Sequence, residues 1–323
     1  MARAARPIDI VVSEVGPRDG LQSVGRTMPT AAKIPWIEGL AAAGLPEIEV
    51  GSFVNPRLLP QMADAAEVVA AAIGLPATNI LALVPNLKGA ERAFQAGVHT
   101  VTLPVSASHR HSMANINRTP DQAVAEVARV CRSRDALPGD HIPGRGRPRV
   151  EAGISTAFGC TLEGMVPEDR VMELASQLAR AGADTVNLSD TTGMGNPTEV
   201  RRMFRRLRRE LGDRAGGAHL HNTRGQGLAN VVAALDAGVT TFDSSLGGLG
   251  GCPYAPGASG NIVTEDLVYL LEAMGLRTGV DIDGLLAARA LLLAGLPGET
   301  LYGHVADAGL PKGFVPASSR NTA

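Results

Sequence analysis

Ala218 to Thr223 reads AHLHNT and has the length of a short strand. Side chains two apart on a strand point to the same side. His219 and His221 therefore face one way and Leu220 the other. Two imidazoles about 6–7 Å apart along a strand can converge on one cation. Further along, GGLGGCPY carries a single thiol, Cys252, among glycines that permit backbone conformations closed to other residues. Asn261 follows, just ahead of a helix expected to begin near Thr264. Together these residues suggest a metal site with a movable acid beside it. Each also has a plainer reading: hydrogen-bonded core histidines, an inert buried thiol, or an asparagine that caps the next helix.

Asp19, next to Arg18 in PRDG, reads either as part of an Asp-Gly turn or as a carboxylate ligand. With Asp19, His219, His221 and the amide oxygen of Asn261 the donors are mixed oxygen and nitrogen. That set suits Mg²⁺ or Mn²⁺ in octahedral geometry, with positions left for substrate oxygens. Catalytic zinc prefers fewer ligands around a tetrahedron. In EIEVGSF, alternation puts Glu47, Glu49 and Gly51 on one face. An inward glutamate is costly unless paired, and Arg18 is the natural partner for Glu49; the alternative is an exposed glutamate at the strand end. Asp190 in NLSDTTG has a competing role as cap of the following turn.

The elements that must position these residues repeat along the chain. Ala-Gly occurs at Ala43-Gly44, Ala96-Gly97, Ala181-Gly182 and Ala237-Gly238, each after an alanine-rich helical stretch and before a β-branched run. Glycine there ends the helix in a left-handed turn, and a strand follows. The expected strands are Ile8–Val15, Glu47–Phe53, Ile80–Val84, Thr100–Ser106, Val150–Phe158, Thr185–Ser189, Ala218–Asn222 and Thr241–Leu246. Helical patterns lie between them, among them Ala31–Ala43, Met62–Ala72, Pro120–Ser133 and Pro197–Leu211. This alternation predicts an α/β fold, a (β/α)8 TIM barrel forming a single domain over 1–323, with an open doubly wound sheet as the alternative. Additional C-terminal helices are expected at Thr264–Met274 and Ile282–Ala294, and a loose tail from Pro311. Polar residues end nearly every strand, where such a barrel keeps its chemistry. The arginine-rich stretch Arg201–Arg209 reads as a solvated helix face, and Arg134–Arg149 as a variable loop.

Net charge is −2, which gives no reason to expect nucleic acid or an anionic membrane. No apolar run reaches transmembrane length, and the N-terminus lacks an apolar signal core. Three cysteines, Cys131, Cys160 and Cys252, fit a reducing compartment, the cytoplasm, better than a disulfide framework. Lysines are only Lys33, Lys88 and Lys312, and Lys88 opens a helix, which argues against a Schiff-base aldolase.

At EVGPRDGLQ, EVGSFVNPRLLPQMAD, VPNLKG, FGC, SDTTG and GLGGCPYAPGASGNIVTEDLVYLLEAMG the chain resembles the 3-hydroxy-3-methylglutaryl-CoA lyase family of the DRE-TIM metallolyases, from about Ile10 to about Leu293. The resemblance implies that Asp19, His219, His221 and Asn261 bind the divalent cation and that Arg18 stabilises the enolate oxygen of acetyl-CoA. It implies that Cys252 transfers a proton at the product carbon. Glu49 would support Arg18, Asp190 would act near the substrate hydroxyl, and Gln22 and Glu265 would be supporting residues, Glu265 for Asn261. It also implies an acyl-CoA substrate and a homodimer. Departures from the family pattern are Gly25, Ser189, Asn222, Arg224 and the loop with His109 and His111, which looks more like the related condensing enzymes. They bear on the acyl portion of the substrate. The competing functions are a Claisen condensation of the isopropylmalate or homocitrate synthase type and a non-catalytic acyl-CoA sensor. Cys252 within GGCPY argues against the first, and the full set of catalytic groups against the second.

Overall fold

A computed structural model describes residues 7–250 and 260–320. Cys252 lies outside the described residues. Eight parallel strands close a barrel in sequence order. They are β1 (Val11–Glu14), β2 (Glu47–Ser52), β3 (Asn79–Leu83), β4 (Thr100–Ser106), β5 (Arg149–Ser155), β6 (Thr185–Asp190), β7 (Ala215–Leu220) and β8 (Thr241–Ser244). The ring shuts where β1 pairs with β8, Val11 opposite Thr241 and Glu14 opposite Ser244. The helices are α1 (Thr30–Ala42), α2 (Ala65–Ala72), α3 (Leu87–Gln95), α4 (His109–Ile116), α5 (Pro120–Asp135), α6 (Glu168–Arg180), α7 (Pro197–Leu211), α8 (Gly227–Leu235), α9 (Thr264–Ala273), α10 (Ile282–Gly295) and α11 (His304–Ala308). This is the (β/α)8 barrel with C-terminal helices that the alternation predicts. No helix among the described residues is long and apolar enough to cross a membrane.

Local chemistry explains the boundaries. Asn86 and Asn196 cap α3 and α7 by accepting from the backbone N–H three residues on, and Thr119 with Gln122 forms a capping box on α5. Gly44, Gly97, Gly182 and Gly238 all take positive φ, so each Ala-Gly pair ends its helix as expected.

The apolar layer lies between strands and helices. Val12, Ile48, Val50, Ile80, Leu103, Ile154, Leu188 and Phe242 are buried there against Trp36, Phe94, Met172 and Phe204. Burying each such side chain contributes about 1.5–3 kcal/mol. The other strand face, inside the barrel, carries polar groups: Asn79 bridges Glu47 and Thr100, and Asn187 reaches Glu151.

Several expectations are corrected. β5 stops at Ser155 rather than Phe158, because Thr156 turns into the left-handed region at φ 57°. β7 stops at Leu220, and the backbone of His221 pairs with Asn261 instead. Helix α4 occupies the stretch expected to be loop after β4, started by the Ser108 side chain accepting from His111 N. Arg134 is not part of a variable loop: it ends α5 nearly buried, on Asp135 and Asp184 at 2.6 Å each. The tail is tied down, since Ser318 donates from both N and Oγ to buried Glu272. Arg201, Arg202 and Arg206 do form a solvent-facing set, paired with Asp236, Glu168, Asp169 and Glu210.

Candidate active site

Arg18 and Asp19 sit on a five-residue π-turn, Gly16–Gly20, directly after β1. Pro17 starts it, and the N–H groups of Arg18, Asp19 and Gly20 all point back at Val15 O. Such turns recur at functional sites because they push side chains out of regular register. Here both charged side chains turn over the C-terminal mouth. The chain after β8 folds back onto this turn. A Cβ on Gly250, at φ 105°, would lie 2.9 Å from Gly20 Cα and 3.2 Å from Asp19 O, so only glycine permits the approach.

Arg18 is clamped between two carboxylates. Its Nε donates to Glu49 Oε2 at 2.5 Å and its Nη1 to Asp19 Oδ1 at 2.5 Å. Glu49 comes from β2 and is 1% exposed; its other oxygen accepts from Thr102 on β4. Burial raises the Glu49 carboxyl. Both of its oxygens accept hydrogen bonds, however, so the ionised form is the one that fits, and Arg18 stays charged. Asp19 is half-buried, which favours the neutral acid, yet Arg18 and the two histidines hold its carboxyl well below the usual range. Gln22 Nε2 donates to Asp19 Oδ1 at 3.0 Å.

The carboxylate of Asp19 and the ring nitrogens of His219 and His221 lie within 4.8 Å of one another. The two Nε2 atoms face each other at 3.1 Å. His219 Nδ1 rests on Asp243 Oδ2 at 3.0 Å. Burial lowers His219, but that hydrogen bond and the charges of Asp243 and Asp19 together outweigh it and the net shift is upward. His221 is pushed down to about 3 by burial and by its neighbour His219. Asp243 thus fixes the His219 ring so that Nδ1 faces the carboxylate and Nε2 faces His221.

Asn261 completes the group. Its Nδ2 donates to Asp19 Oδ2 at 2.7 Å, while its Oδ1 is buried with no hydrogen-bond partner among the described residues. His221 Nδ1 is orphaned in the same way. A buried amide oxygen without a donor costs stability unless something positive meets it. Carboxylate, imidazoles and orphaned amide oxygen fit a divalent cation with a preference for mixed oxygen and nitrogen ligands.

Other candidates are placed differently. Asp190, at the end of β6, accepts from Met194 N at 2.9 Å and Gly195 N at 3.1 Å, which is the capping role. Glu265 does not reach Asn261; its carboxylate holds Gly247 N at 2.9 Å and Arg289 at 2.7 Å. Asn222 caps α8 through Gly227 N, and Arg224 donates to the carbonyls of Thr192 and Gly193. Gly25 and His109 are exposed, whereas His111 is buried with Nδ1 on Ser106 Oγ at 2.9 Å. Sequence reasoning missed Asp243, Thr102 and Glu14. Asp243 could have been found: it is the inward residue of β8 opposite His219 in register.

Fold and mouth together define a (β/α)8 barrel enzyme of the cation-dependent kind, with a charged arginine fixed beside the cation donors. The HMGL-like family pattern matches residues 9–292, and the chain belongs to that family. It is 41% identical over 282 residues to the mitochondrial hydroxymethylglutaryl-CoA lyase of Gallus gallus, covering 87% of this chain and 92% of that one. It is 40% identical over 312 residues to the (R)-citramalyl-CoA lyase of Chloroflexus aurantiacus, covering 93% and 95%. The structure of an HMG-CoA lyase from Acinetobacter baumannii, in complex with coenzyme A and 3-methylmalate, superimposes with a TM-score of 0.87 at 38% identity, covering 98% of this chain and 99% of that one.

Proposed function

We propose that the protein is a divalent-cation-dependent carbon–carbon lyase that cleaves 3-hydroxy-3-methylglutaryl-CoA, or a close 3-hydroxyacyl-CoA, to acetyl-CoA and acetoacetate or the matching keto acid. The observation that carries this reading is the arginine held by two carboxylates beside the Asp19, His219, His221 and Asn261 donors. In the reaction the 3-hydroxyl loses its proton, the C2–C3 bond breaks, C3 becomes a ketone and C2 takes up a proton. Mg²⁺ or Mn²⁺ held by Asp19, His219, His221 and Asn261 would acidify that hydroxyl as a Lewis acid. Arg18, its charge fixed by Glu49 and Asp19, stabilises the enolate oxygen that develops on the thioester. Gln22 keeps Asp19 aimed. Asp190 shapes the turn after β6 near the substrate hydroxyl, and Glu265 fixes the root of the chain that leads to Cys252. Cys252 supplies the proton to C2.

A panel of CoA thioesters tests this, with acetyl-CoA and keto-acid products followed in the presence and absence of metal. The second substrate to include is (R)-citramalyl-CoA, whose cleavage gives pyruvate. The long match to the citramalyl-CoA lyase favours it. The two substrates differ by one methylene before the carboxylate, a difference worth about 1–3 kcal/mol in a fitted pocket. Acetyl-CoA release from neither would overturn the lyase reading. The cytoplasm and a homodimer remain part of this proposal. Relatives' names include both mitochondrial and cytoplasmic enzymes, and light scattering reads the oligomer directly.

Two outcomes follow from the roles assigned. Cys252→Ala should fold, bind Mn²⁺ and lose turnover by about 10³-fold, with serine a poor substitute because a hydroxyl is far less acidic. Cys131 is the control: it is buried on α5 with its thiol pushed up to about 11, chiefly by burial, and Cys131→Ala should leave turnover unchanged. Wild-type turnover in Cys252→Ala would make the thiol structural. Asp243→Ala should weaken Mn²⁺ binding about 10–100-fold, because outer carboxylates orient ligating imidazoles; electron paramagnetic resonance titration measures it. Native Mn²⁺ affinity would show that packing alone orients the His219 ring.

A further inference from the structure

We infer that Glu14 is a positioning residue that holds the two halves of the site in register, tying the Arg18–Asp19 turn to the chain after β8 and to the segment that carries Asn261. The inference deepens the lyase reading and rests on it for the roles of Arg18, Asp19 and Asn261.

Glu14 is the last residue of β1 and is 0% exposed. Its Oε1 accepts from Gly16 N at 2.8 Å, the first residue of the π-turn, and from Leu246 N at 2.9 Å, where the chain leaves β8. Its Oε2 lies 2.6 Å from Thr264 Oγ1, which lies 2.8 Å from Ser244 Oγ. Thr264 begins α9 just after Asn261. One carboxyl therefore touches three separate stretches of chain, and each leads within a few residues to a proposed catalytic or cation-binding group. The fit is close at Gly16, where a Cβ would come within 2.5 Å of Glu14 Oε1 and 3.0 Å of Ser245 Oγ.

The bonding pattern matches the neutral acid. Both N–H groups go to Oε1; Thr264 Oγ1 reaches both Glu14 Oε2 and Ser244 Oγ, and since its single proton serves only one of them, a proton on Oε2 given to Thr264 would free Thr264 to donate to Ser244. Burial, with some help from Glu265, raises this carboxyl to about 8, against the bonds from Thr264, Leu246 and Gly16. Glu265 is the charged group that faces it from α9, and it holds the next residue of the same loop, Gly247 N, while paired with Arg289.

Glutamine mimics the neutral acid, and leucine removes all three ties. The test compares Glu14→Gln, Glu14→Leu and Thr264→Val by Mn²⁺ titration, by kcat and KM for 3-hydroxy-3-methylglutaryl-CoA, and by melting temperature against pH. Glu14→Gln should keep Mn²⁺ affinity and kcat within about threefold at pH 7, since it conserves each hydrogen bond. Glu14→Leu should lower kcat by about 10²-fold with KM nearly unchanged, and weaken Mn²⁺ binding about tenfold, since small misplacements of reacting groups are costly. If Glu14→Leu fails to fold, Thr264→Val, which cuts one tie, should show a smaller loss of the same kind. The wild-type carboxyl ionises near 4.5 when unfolded and near 8 when folded. The folded state therefore loses stability as pH rises through that window. Wild type should fall in melting temperature relative to Glu14→Gln between those values, and lose kcat above pH 8 where the glutamine variant does not. Native kcat and Mn²⁺ affinity in folded Glu14→Leu, or in Thr264→Val where leucine does not fold, would overturn the inference. So would a Glu14→Gln variant as impaired as leucine, or melting curves that run parallel in pH. If wild type cleaves no thioester in the panel, the lyase reading fails by itself, and Mn²⁺ affinity still decides the role of Glu14.

Discussion

Arg18→Gln is expected to lower kcat by about 10⁴-fold while KM changes by less than about threefold. A neutral oxyanion donor contributes about 10²–10³-fold, and a charged donor is roughly twice as strong in energy. In the proposed role the charge that Arg18 would meet on the thioester oxygen exists mainly in the transition state, so the loss should fall on turnover rather than on binding. The substitution has a second consequence that has to be separated from the first. Arg18 is the cation that pairs with Glu49, which is 1% exposed on β2. Removing one partner of a buried pair costs about 3–5 kcal/mol, because the other charge is left uncompensated. Arg18→Gln should therefore melt earlier than wild type. Adding Glu49→Gln removes the orphaned charge and should restore much of the melting temperature without restoring kcat. If the double variant regains turnover with stability, Arg18 acts only by keeping the fold, and its assigned role is wrong. A raised KM with wild-type kcat would make it a substrate-binding group only.

Removal of divalent cations by a chelator should abolish turnover, and Mg²⁺ or Mn²⁺ should restore it. The expectation comes from the Asp19, His219 and His221 cluster and from the orphaned Oδ1 of Asn261. Without a Lewis acid the 3-hydroxyl keeps a pKa far above neutrality, and the C2–C3 bond has no alkoxide to push it apart. His221→Ala should lose Mn²⁺ affinity and turnover together, since the donor set has no spare imidazole among the described residues. Asn261→Ala should do the same more weakly, because it withdraws a neutral oxygen and also frees Asp19 from its 2.7 Å hydrogen bond. Calorimetric or resonance titration of Mn²⁺ reads the binding independently of activity. Full turnover in a preparation shown to hold no metal would sink the assignment.

Much of the architecture was legible in the chain itself. The barrel follows from repeated apolar runs punctuated by Ala-Gly, because helix ends need a residue that takes positive φ, and Gly44, Gly97, Gly182 and Gly238 all do. Pairing of Arg18 with Glu49 was legible as well, since an inward glutamate demands a cation and one lay at the adjoining strand end. The convergence of His219 and His221 followed from strand periodicity, although β7 ends between them. What spacing could not supply was the exact exit of each strand. β5 stops early because Thr156 adopts a left-handed conformation, and His221 leaves the sheet to pair with Asn261, a residue forty positions away.

Beyond the Arg18–Glu49 pair, which role several polar side chains take was decided by the tertiary structure. Asp190 and Glu265 are acids at strand and helix ends, and sequence allows them either catalytic or structural work. The turn after β6 brings the N–H groups of Met194 and Gly195 to Asp190, the chain after β8 brings that of Gly247 to Glu265, and those donors take the carboxylates. Asp243 shows the converse: it stands out in no motif, yet the β7–β8 register sets it opposite His219 and gives the ring its orientation. Glu14 is the plainest case. Its three partners are two, 232 and 250 residues away. Local sequence sets the residues that can carry charge and the periods at which they face inward. Only closing the barrel, which joins β1 to β8 and folds the chain after β8 back over the mouth, determines which charges meet, because hydrogen bonding acts over a few ångströms in space and is indifferent to distance along the chain.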